Sequence, residues 1–392
     1  MMNRTQGTNV VVVIGGGYAG TLAANHLQTR YDVDVTLVNP RAAFVERIRL
    51  HQMVAETGSA TVDYQKLLNP RIRLVVDTAT QIDACGRRVR LASGPQLRYD
   101  YLICAVGSTA AADAVPGAAE YACRIAEFEH AARLHNRLAD LRPDAPICVV
   151  GGGLTGIETA AELAQQRHSV TLVCDGRLGP SLSEPGRRSV ARQLARLGVH
   201  VREGSAVAQV REFGVLLDDG RELPSAVTVW AAGFGVPDLA ARSGLSTDPI
   251  GRLLTDETLT SIDDERIVAA GDAAAPSDQP LRMSCQAAMP LGAQAANTVL
   301  SRIAGATPAV VNQAFVGQCV SLGRSLGILQ VQHTDDTARR LYIGGRLAAV
   351  IKEQVCRATV FYLAREGRKP GSYFWLRGGQ RRTAAPLAVA AS

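Results

Sequence analysis

Apolar residues come in short unbroken blocks along this chain, and several of the blocks end in glycine. VVVVI (Val10–Ile14) and PICVV (Pro146–Val150) have the length and β-branched content of strands buried on both faces. Three glycines follow each block, then a stretch with helical apolar spacing, TLAANHLQTR or IETAAELAQQ, then a second apolar run, DVTLVN or SVTLVC. The pattern predicts a strand, turn, helix and strand, written twice in one chain. RIVAAGDAA (Arg266–Ala274) reads as a short buried strand that ends in Gly-Asp. IKEQVCRATVFYLAREGRK (Ile351–Lys369) reads as a helix stopped by Pro370 and Gly371, with apolar residues around most of its circumference.

At 392 residues the chain is long for one core, so two or three domains are expected. With 47% apolar and 20% charged residues, the composition excludes a disordered chain. No run approaches the roughly 18–20 apolar residues of a membrane helix. The apolar block near the N-terminus runs directly into glycine, which is too short for a secretory signal, and a cytoplasmic location is expected. The eight cysteines (85, 104, 123, 148, 174, 285, 319 and 356) are scattered with no CxxC, so no metal site is expected and buried thiols are the simple reading. From Arg339 to Ser392, eleven Lys and Arg face two acids, Glu353 and Glu366, while the whole chain carries +6. A basic tail of this kind suits contact with a membrane surface or an acidic partner, and a solvated charged face accounts for it as well. No nucleic-acid partner is expected, and a homodimer stays open.

Both glycine blocks are G-x-G-x-x-G, at Gly15, Gly17 and Gly20 and again at Gly151, Gly153 and Gly156. The first glycine makes the turn, the second admits a pyrophosphate to the backbone, and the third packs the helix on the strand. Set between a strand and a helix, each copy points to a dinucleotide. The ribose-reading place at the end of the second strand holds Asn39 in the first copy, where an amide can serve a hydroxyl. In the second copy it holds Cys174, followed by Asp175 and Arg177, suited to a 2′-hydroxyl and a 2′-phosphate respectively. NADH and NADPH both stay open, as does a plain turn at Asp175-Gly176. YDYLICAVGS (Tyr99–Ser108) and VTVWAAGFG (Val227–Gly235) form a pair of strands ending in small residues, as expected where the chain passes between two nucleotide domains.

The order G-x-G-x-x-G, AVG, G-x-G-x-x-G, AAG, GD, over roughly residues 10–300, resembles the FAD/NAD(P)-linked reductases of the pyridine nucleotide-disulfide oxidoreductase superfamily. The resemblance implies an α/β fold with two Rossmann-like doubly wound domains, the second inserted in the first, and a C-terminal α+β domain. Expected boundaries are 1–118 and 236–308 for FAD, 119–235 for NAD(P) and 309–392 for the remainder, with the closing QRRTAAPLAVAAS mobile. For FAD it implies contacts from Gly15, Gly17, Tyr18, Ala19 and Gly20, from Asn39, Arg47 and Ala79, and from Ala105 and Gly107. Gly271 and Asp272 would serve the ribityl chain, with Gln286 and Ala287 beyond them. For NAD(P)H it implies Gly151, Gly153, Leu154, Thr155 and Gly156, then Asp175, Arg177 and Gly233.

Disulfide reductases of the superfamily carry CxxxxC just after the first ribose position, but here Asn39–Gly58 has no cysteine, which excludes a thiol relay at that place. FVERIRLHQMVAETG looks like the same segment of apoptosis-inducing-factor-like and ferroptosis-suppressor-type NAD(P)H:quinone reductases, relatives of the type II NADH:quinone dehydrogenases. There Arg47, Arg49 and His51 are candidates for cofactor phosphates or the flavin edge, and an amphipathic solvated helix is the alternative. GGGLTGIETAAEL matches those reductases at Glu158, which the resemblance puts beside nicotinamide and flavin; a carboxylate early in a helix is also favoured by the dipole. MSCQAAMPLG resembles the flavin-covering segment A-Q-x-A-x-Q-x-G at Gln286, Ala288 and Gly292, but Cys285 and Pro290 replace the alanine and the second glutamine. CVSLGRSLGILQ and LYIGGRLAAVIKEQ resemble the C-terminal domain of the ferroptosis-suppressor type, whose flavin-side lysine falls close to Lys352, a surface lysine being the alternative. Glu158, Gln286 and Lys352 are therefore the expected catalytic residues. The expected reaction takes hydride from NAD(P)H to FAD and passes electrons to a quinone or quinone-like molecule. The rivals are a redox partner protein such as a ferredoxin, a private natural-product substrate, sulfide chemistry on Cys285 and Cys319, and a slow nucleotide sensor.

Overall fold

The computed structural model describes residues 8–111, 115–142 and 144–378. Five helices matter to the site: α1 (Tyr18–Leu27), α2 (Leu50–Val54), α3 (Leu154–Gln165), α4 (Cys285–Ile303) and α5 (Gly345–Arg368). The closing segment QRRTAAPLAVAAS lies outside the described residues.

Two five-stranded parallel sheets are built to the same plan. In the first the order is Ile267–Ala269, Tyr101–Cys104, Asn9–Ile14, Val33–Asn39, Arg73–Val76. In the second it is Ala122–Arg124, Val227–Trp230, Pro146–Val150, Ser169–Val173, His200–Arg202. The strand leading into a glycine turn is the middle one each time, with Val11 and Val13 or Cys148 and Val149 fully buried. Runs without polar alternation end up covered on both faces, and these two are. A three-stranded antiparallel meander leaves each sheet, Ala79–Asp83 to Gln96–Arg98 in the first and Val207–Arg211 to Glu222–Pro224 in the second.

The strands of YDYLICAVGS and VTVWAAGFG lie in separate sheets, each beside its own glycine strand. Only their extensions meet, as Thr109–Ala110 pairs antiparallel with Phe234–Gly235. That short ribbon joins the two units where the chain crosses.

The C-terminal segment is a three-stranded antiparallel sheet, Gly317–Ser321, Gly327–Gln332 and Ala338–Gly344, followed by α5. The helix starts at Gly345, six residues before the sequence pattern places it. Leu347 and Val350 in its first turns are exposed, so apolar periodicity gives no hint of that start. The core around the second sheet also takes in Leu50 and Val54 of α2, Val320 and Ile328 of the C-terminal sheet, and Leu322 in the turn between its first two strands. Two distant stretches of chain, α2 and the C-terminal sheet, therefore pack against α3.

Candidate functional site

Gly15 (φ +100°) and Gly151 (φ +122°) end their strands in backbone conformations that side chains disfavour. A Cβ on Gly20 would stand 1.8 Å from Gly15 O, and one on Gly156 would stand 1.9 Å from Gly151 O. The helix thus presses directly on the turn. Behind the turns lie the small residues of the crossing strands, Ala105 against Gly15 and Ala231 and Ala232 against Gly151. The middle glycines differ, since a Cβ on Gly17 or Gly153 would meet nothing within 4 Å. Open space therefore sits at the N-termini of α1 and α3, where unpaired N–H groups favour an anion. The residues present fit a dinucleotide pyrophosphate in each cleft.

At the ribose end, Asn39 Oδ1 accepts from Gly16 N (3.0 Å) and its Nδ2 donates to Arg41 O (2.7 Å). The oxygen end of the amide serves the glycine turn, which Tyr64 also braces by donating to Gly16 O (2.6 Å), and the nitrogen end ties down the loop that follows Asn39. Ala79 is buried at the head of the neighbouring meander. In the second unit Cys174 packs against Gly152 and burial pushes its thiol up to about 12, so no anion stands there. Asp175 and Arg177 are exposed on the turn beyond it. Leu154 and Thr155 open α3, half-buried, beside the open space at Gly153. Gly233 (φ +68°) and Gly107 (φ +73°) take matching left-handed conformations after the two crossing strands.

At the Gly-Asp motif two expected residues, Arg47 and Asp272, meet around one that sequence reasoning missed, Ser108. Arg47 Nη1 donates to Ser108 Oγ (2.9 Å), and Ser108 Oγ donates to Asp272 Oδ2 (2.7 Å), while Arg47 Nε reaches Ala126 O (3.1 Å). Burial pushes the Asp272 carboxyl above its ordinary value, against the Ser108 hydrogen bond and the Arg47 charge. Gly271 and Gly292 both exist because of Ala19: a Cβ on either would fall 2.8 Å from Ala19 Cβ or 2.3 Å from Ala19 O. Helices α1 and α4 cross that closely. Tyr18 stacks edge-on against Phe44, with centroids 5.1 Å apart. Ala287 N bonds the Ser284 cap of α4. Gln286, in the amide orientation that satisfies both ends, donates to Gly317 O (2.9 Å) and accepts from Val316 N (3.2 Å). Its amide therefore stitches α4 to the segment that leads into the C-terminal sheet.

The other two expected catalytic residues meet. Lys352 Nζ lies 2.9 Å from Glu158 Oε1, with the side chains 12% and 8% exposed, which removes the surface-lysine alternative. Ser321 donates to the same oxygen from its N (2.9 Å) and its Oγ (3.2 Å). Burial disfavours both charges, but each is more than restored by its partner. Glu158 is held below the ordinary glutamate value, and Lys352 above the lysine value. His51 is 3% exposed, 3.8 Å from Glu158 Oε2 through Nδ1 and 3.4 Å from Ser321 Oγ through Nε2. Burial, with Lys352, Arg324 and Arg49, pushes His51 down to about 4 against the pull of Glu158. Arg49 is also buried, paired with Glu353 (3.0 Å) and Glu46 (3.2 Å), so the solvated-helix alternative for 47–51 fails at Arg49 and His51.

Burial raises the thiols of Cys285, Cys319 and Cys356, the last two to about 11, despite Lys352 nearby. They are neutral at neutral pH, and among the described residues every cysteine is free. Ser108 and Ser321 went unseen in the sequence because a single serine closing an apolar run carries no spacing signal. Alternation along Gly317–Ser321 puts Ser321 on the same face as Cys319, the one clue available.

The family profile described as pyridine nucleotide-disulphide oxidoreductase matches residues 9–292. An NADH dehydrogenase-like protein of Mycobacterium tuberculosis is 34% identical over 321 residues, covering 74% of this chain and 80% of its own. A type II NADH:quinone oxidoreductase of Staphylococcus haemolyticus is 25% identical over 400 residues, covering 91% of this chain and 96% of its own. Among solved structures, the sulfide:quinone oxidoreductase of Aquifex aeolicus superposes with a TM-score of 0.79 at 18% identity, over 93% of each chain. That last likeness is one of fold.

Proposed function

The chain belongs to the pyridine nucleotide-disulphide oxidoreductase family and is an NAD(P)H-dependent oxidoreductase, and from that premise we propose that it reduces a quinone-like small molecule through FAD with no cysteine relay. Bound FAD would supply the chemistry that accepts hydride from NAD(P)H and passes electrons to the acceptor. In this reading Gly15–Gly20, Arg47, Ser108 and Asp272 hold the flavin nucleotide, and Gly151–Gly156 hold NAD(P)H. The observation that carries the reading is the buried Glu158–Lys352 pair, drawn from two distant segments to 2.9 Å. An ion pair at that depth gives little net stability over apolar packing, so its presence argues for chemistry. Glu158 orients the nicotinamide carboxamide, and the Lys352 ammonium stabilises negative charge that develops beside it. The neutral, half-buried thiols of Cys285 and Cys319 disfavour the sulfide reading, because the thiolate is the reactive form.

No helix among the described residues is long and apolar enough to cross a membrane. Contact with a membrane surface through α5 belongs to the same proposal. Leu347, Val350 and Phe361 lie exposed on one stripe of the helix with Arg357, at the spacing of an amphipathic face.

The test is rapid mixing of the FAD-loaded protein with NADH or NADPH, followed by a soluble quinone. Loss of the flavin's visible absorption and its return with the quinone are expected. Loss without return would remove quinone as the acceptor and turn attention to a redox protein.

A further inference from the structure

Glu158 is held unevenly. Its Oε1 receives Lys352 and both Ser321 donors, whereas its Oε2 faces the His51 ring. We propose that His51 is a positioning residue, which with Ser321 fixes the plane of the Glu158 carboxylate so that Oε1 holds the Lys352 ammonium while Oε2 stays presented to the nicotinamide. The inference rests on the reading above that Glu158 meets the nucleotide.

The geometry selects one arrangement of hydrogens. Ser321 Oγ already donates to Glu158 Oε1 (3.2 Å), so toward His51 it offers a lone pair, and Nε2, 3.4 Å away, is the nitrogen that carries the proton. Nδ1 then turns its own lone pair toward Glu158 Oε2 at 3.8 Å, beyond hydrogen-bond length. The ring blocks rotation of the carboxylate without consuming its second oxygen. The ring itself cannot swing away: α2 is a five-residue helix whose Leu50 and Val54 are buried in the core around the second sheet. The charged groups facing His51 are Glu158 on α3, Lys352 on α5, Arg324 in the turn after Gly317–Ser321, and Arg49 next to its own helix. Around Glu158 stand Lys352 and His51, with Glu162 one turn along α3 and the neutral thiols of Cys319 and Cys356. The cations outnumber the anions here, so a proton on the ring is resisted and the neutral imidazole persists.

The experiment compares the FAD-loaded wild type with His51→Phe, His51→Asn and Ser321→Ala. His51→Phe keeps a ring without nitrogens, His51→Asn keeps a donor, and Ser321→Ala keeps the backbone N–H. The first readout is infrared titration of the Glu158 carboxyl, assigned with Glu158→Gln, which needs no turnover. In His51→Phe no Nε2–H holds the Ser321 hydroxyl in place on Glu158 Oε1, so the protonation of Glu158 is expected to move up by about one pH unit, and to return most of the way in His51→Asn. The second readout is the pH profile of flavin bleaching by NAD(P)H. Its acid limb should move up with the titration, and the rate at neutral pH should fall about tenfold. An unmoved titration and an unmoved acid limb in His51→Phe would overturn the positioning role and leave His51 as packing. If the wild type itself is not bleached, the functional reading falls and takes this inference with it, whereas bleaching with an unmoved profile overturns the inference alone. Should His51→Phe fail to fold, Ser321→Ala decides by the same two readouts.

Discussion

At the scale of single residues, the four glycines that a Cβ would block and the two that it would not make a separable pair of expectations. Gly153 has ordinary dihedrals (φ −74°, ψ 178°) and open space at its Cβ position. Gly153→Ala should fold normally, keep its FAD and raise KM for NAD(P)H about tenfold, since the methyl group occupies the space of the pyrophosphate. Gly156→Ala meets Gly151 O at 1.9 Å, and overpacking of this kind should lower stability by about 1–3 kcal/mol in a urea titration. If the two variants lose nucleotide and stability alike, the cleft is misassigned. His51 makes a pH prediction. Its folded value, about 4, lies below that of a free imidazole, so between about 6.5 and 4 the unfolded chain binds the extra proton and stability falls as pH falls. Acidification from pH 7 to pH 5 should cost the wild type about 2 kcal/mol more than His51→Phe, read from urea unfolding at both values. The roles of the two glycines were legible in the motif itself, whereas the burial of His51 was not. Glu158 and Lys352 stood out in the sequence through family resemblance, but their 2.9 Å contact depends on chain separated by most of two domains.

At the scale of elements, what the sequence made legible was the part built from local rules. A strand, a glycine turn and a helix are specified within some twenty residues, and Asn9–Ile14 with α1 and Pro146–Val150 with α3 appear where the apolar blocks end. The C-terminal sheet and the start of α5 were less legible, because Ala338–Gly344 is half-exposed and shows no clean alternation. The α5 helix buries Ala348, Cys356, Leu363 and Glu366 on one side and leaves Leu347, Val350 and Phe361 in the open on the other. That exposed stripe has a measurable consequence. With vesicles containing anionic lipid, the protein should co-float, and Leu347→Glu together with Phe361→Glu should weaken partitioning by tenfold or more, since each change removes an apolar anchor and adds repulsion. Equal flotation of the double variant would leave α5 with no role at a bilayer.

At the scale of the whole molecule, the ends of the chain are tied together at one carboxylate. Glu366 is fully buried and accepts from Gly371 N (2.6 Å), Tyr373 N (2.7 Å) and Ser372 Oγ (3.2 Å), and pairs with His26 Nδ1 (2.7 Å). Burial works to raise this carboxyl, but its partners outweigh that and hold it below the usual range. His26 Nε2 in turn faces Asn297 Oδ1 on α4 (3.0 Å). Glu366→Gln should destabilise the protein by about 3 kcal/mol, as loss of one buried partner does. It should also shift Trp375 emission to the red, because that indole, bonded to Asn312 O, belongs to the segment that Glu366 secures. An unchanged emission maximum would show that the segment holds by its aromatic contacts alone. His26 stands in the last turn of α1, the helix whose first turn faces the open space at Gly17, while Glu366 lies 340 positions later. A ribosome adding about 5–20 residues per second needs roughly 20–70 seconds to cover that interval. Through all of that time the helix under the earlier nucleotide cleft waits for its clasp, so the finished polypeptide, rather than the nascent one, should be what takes up its flavin.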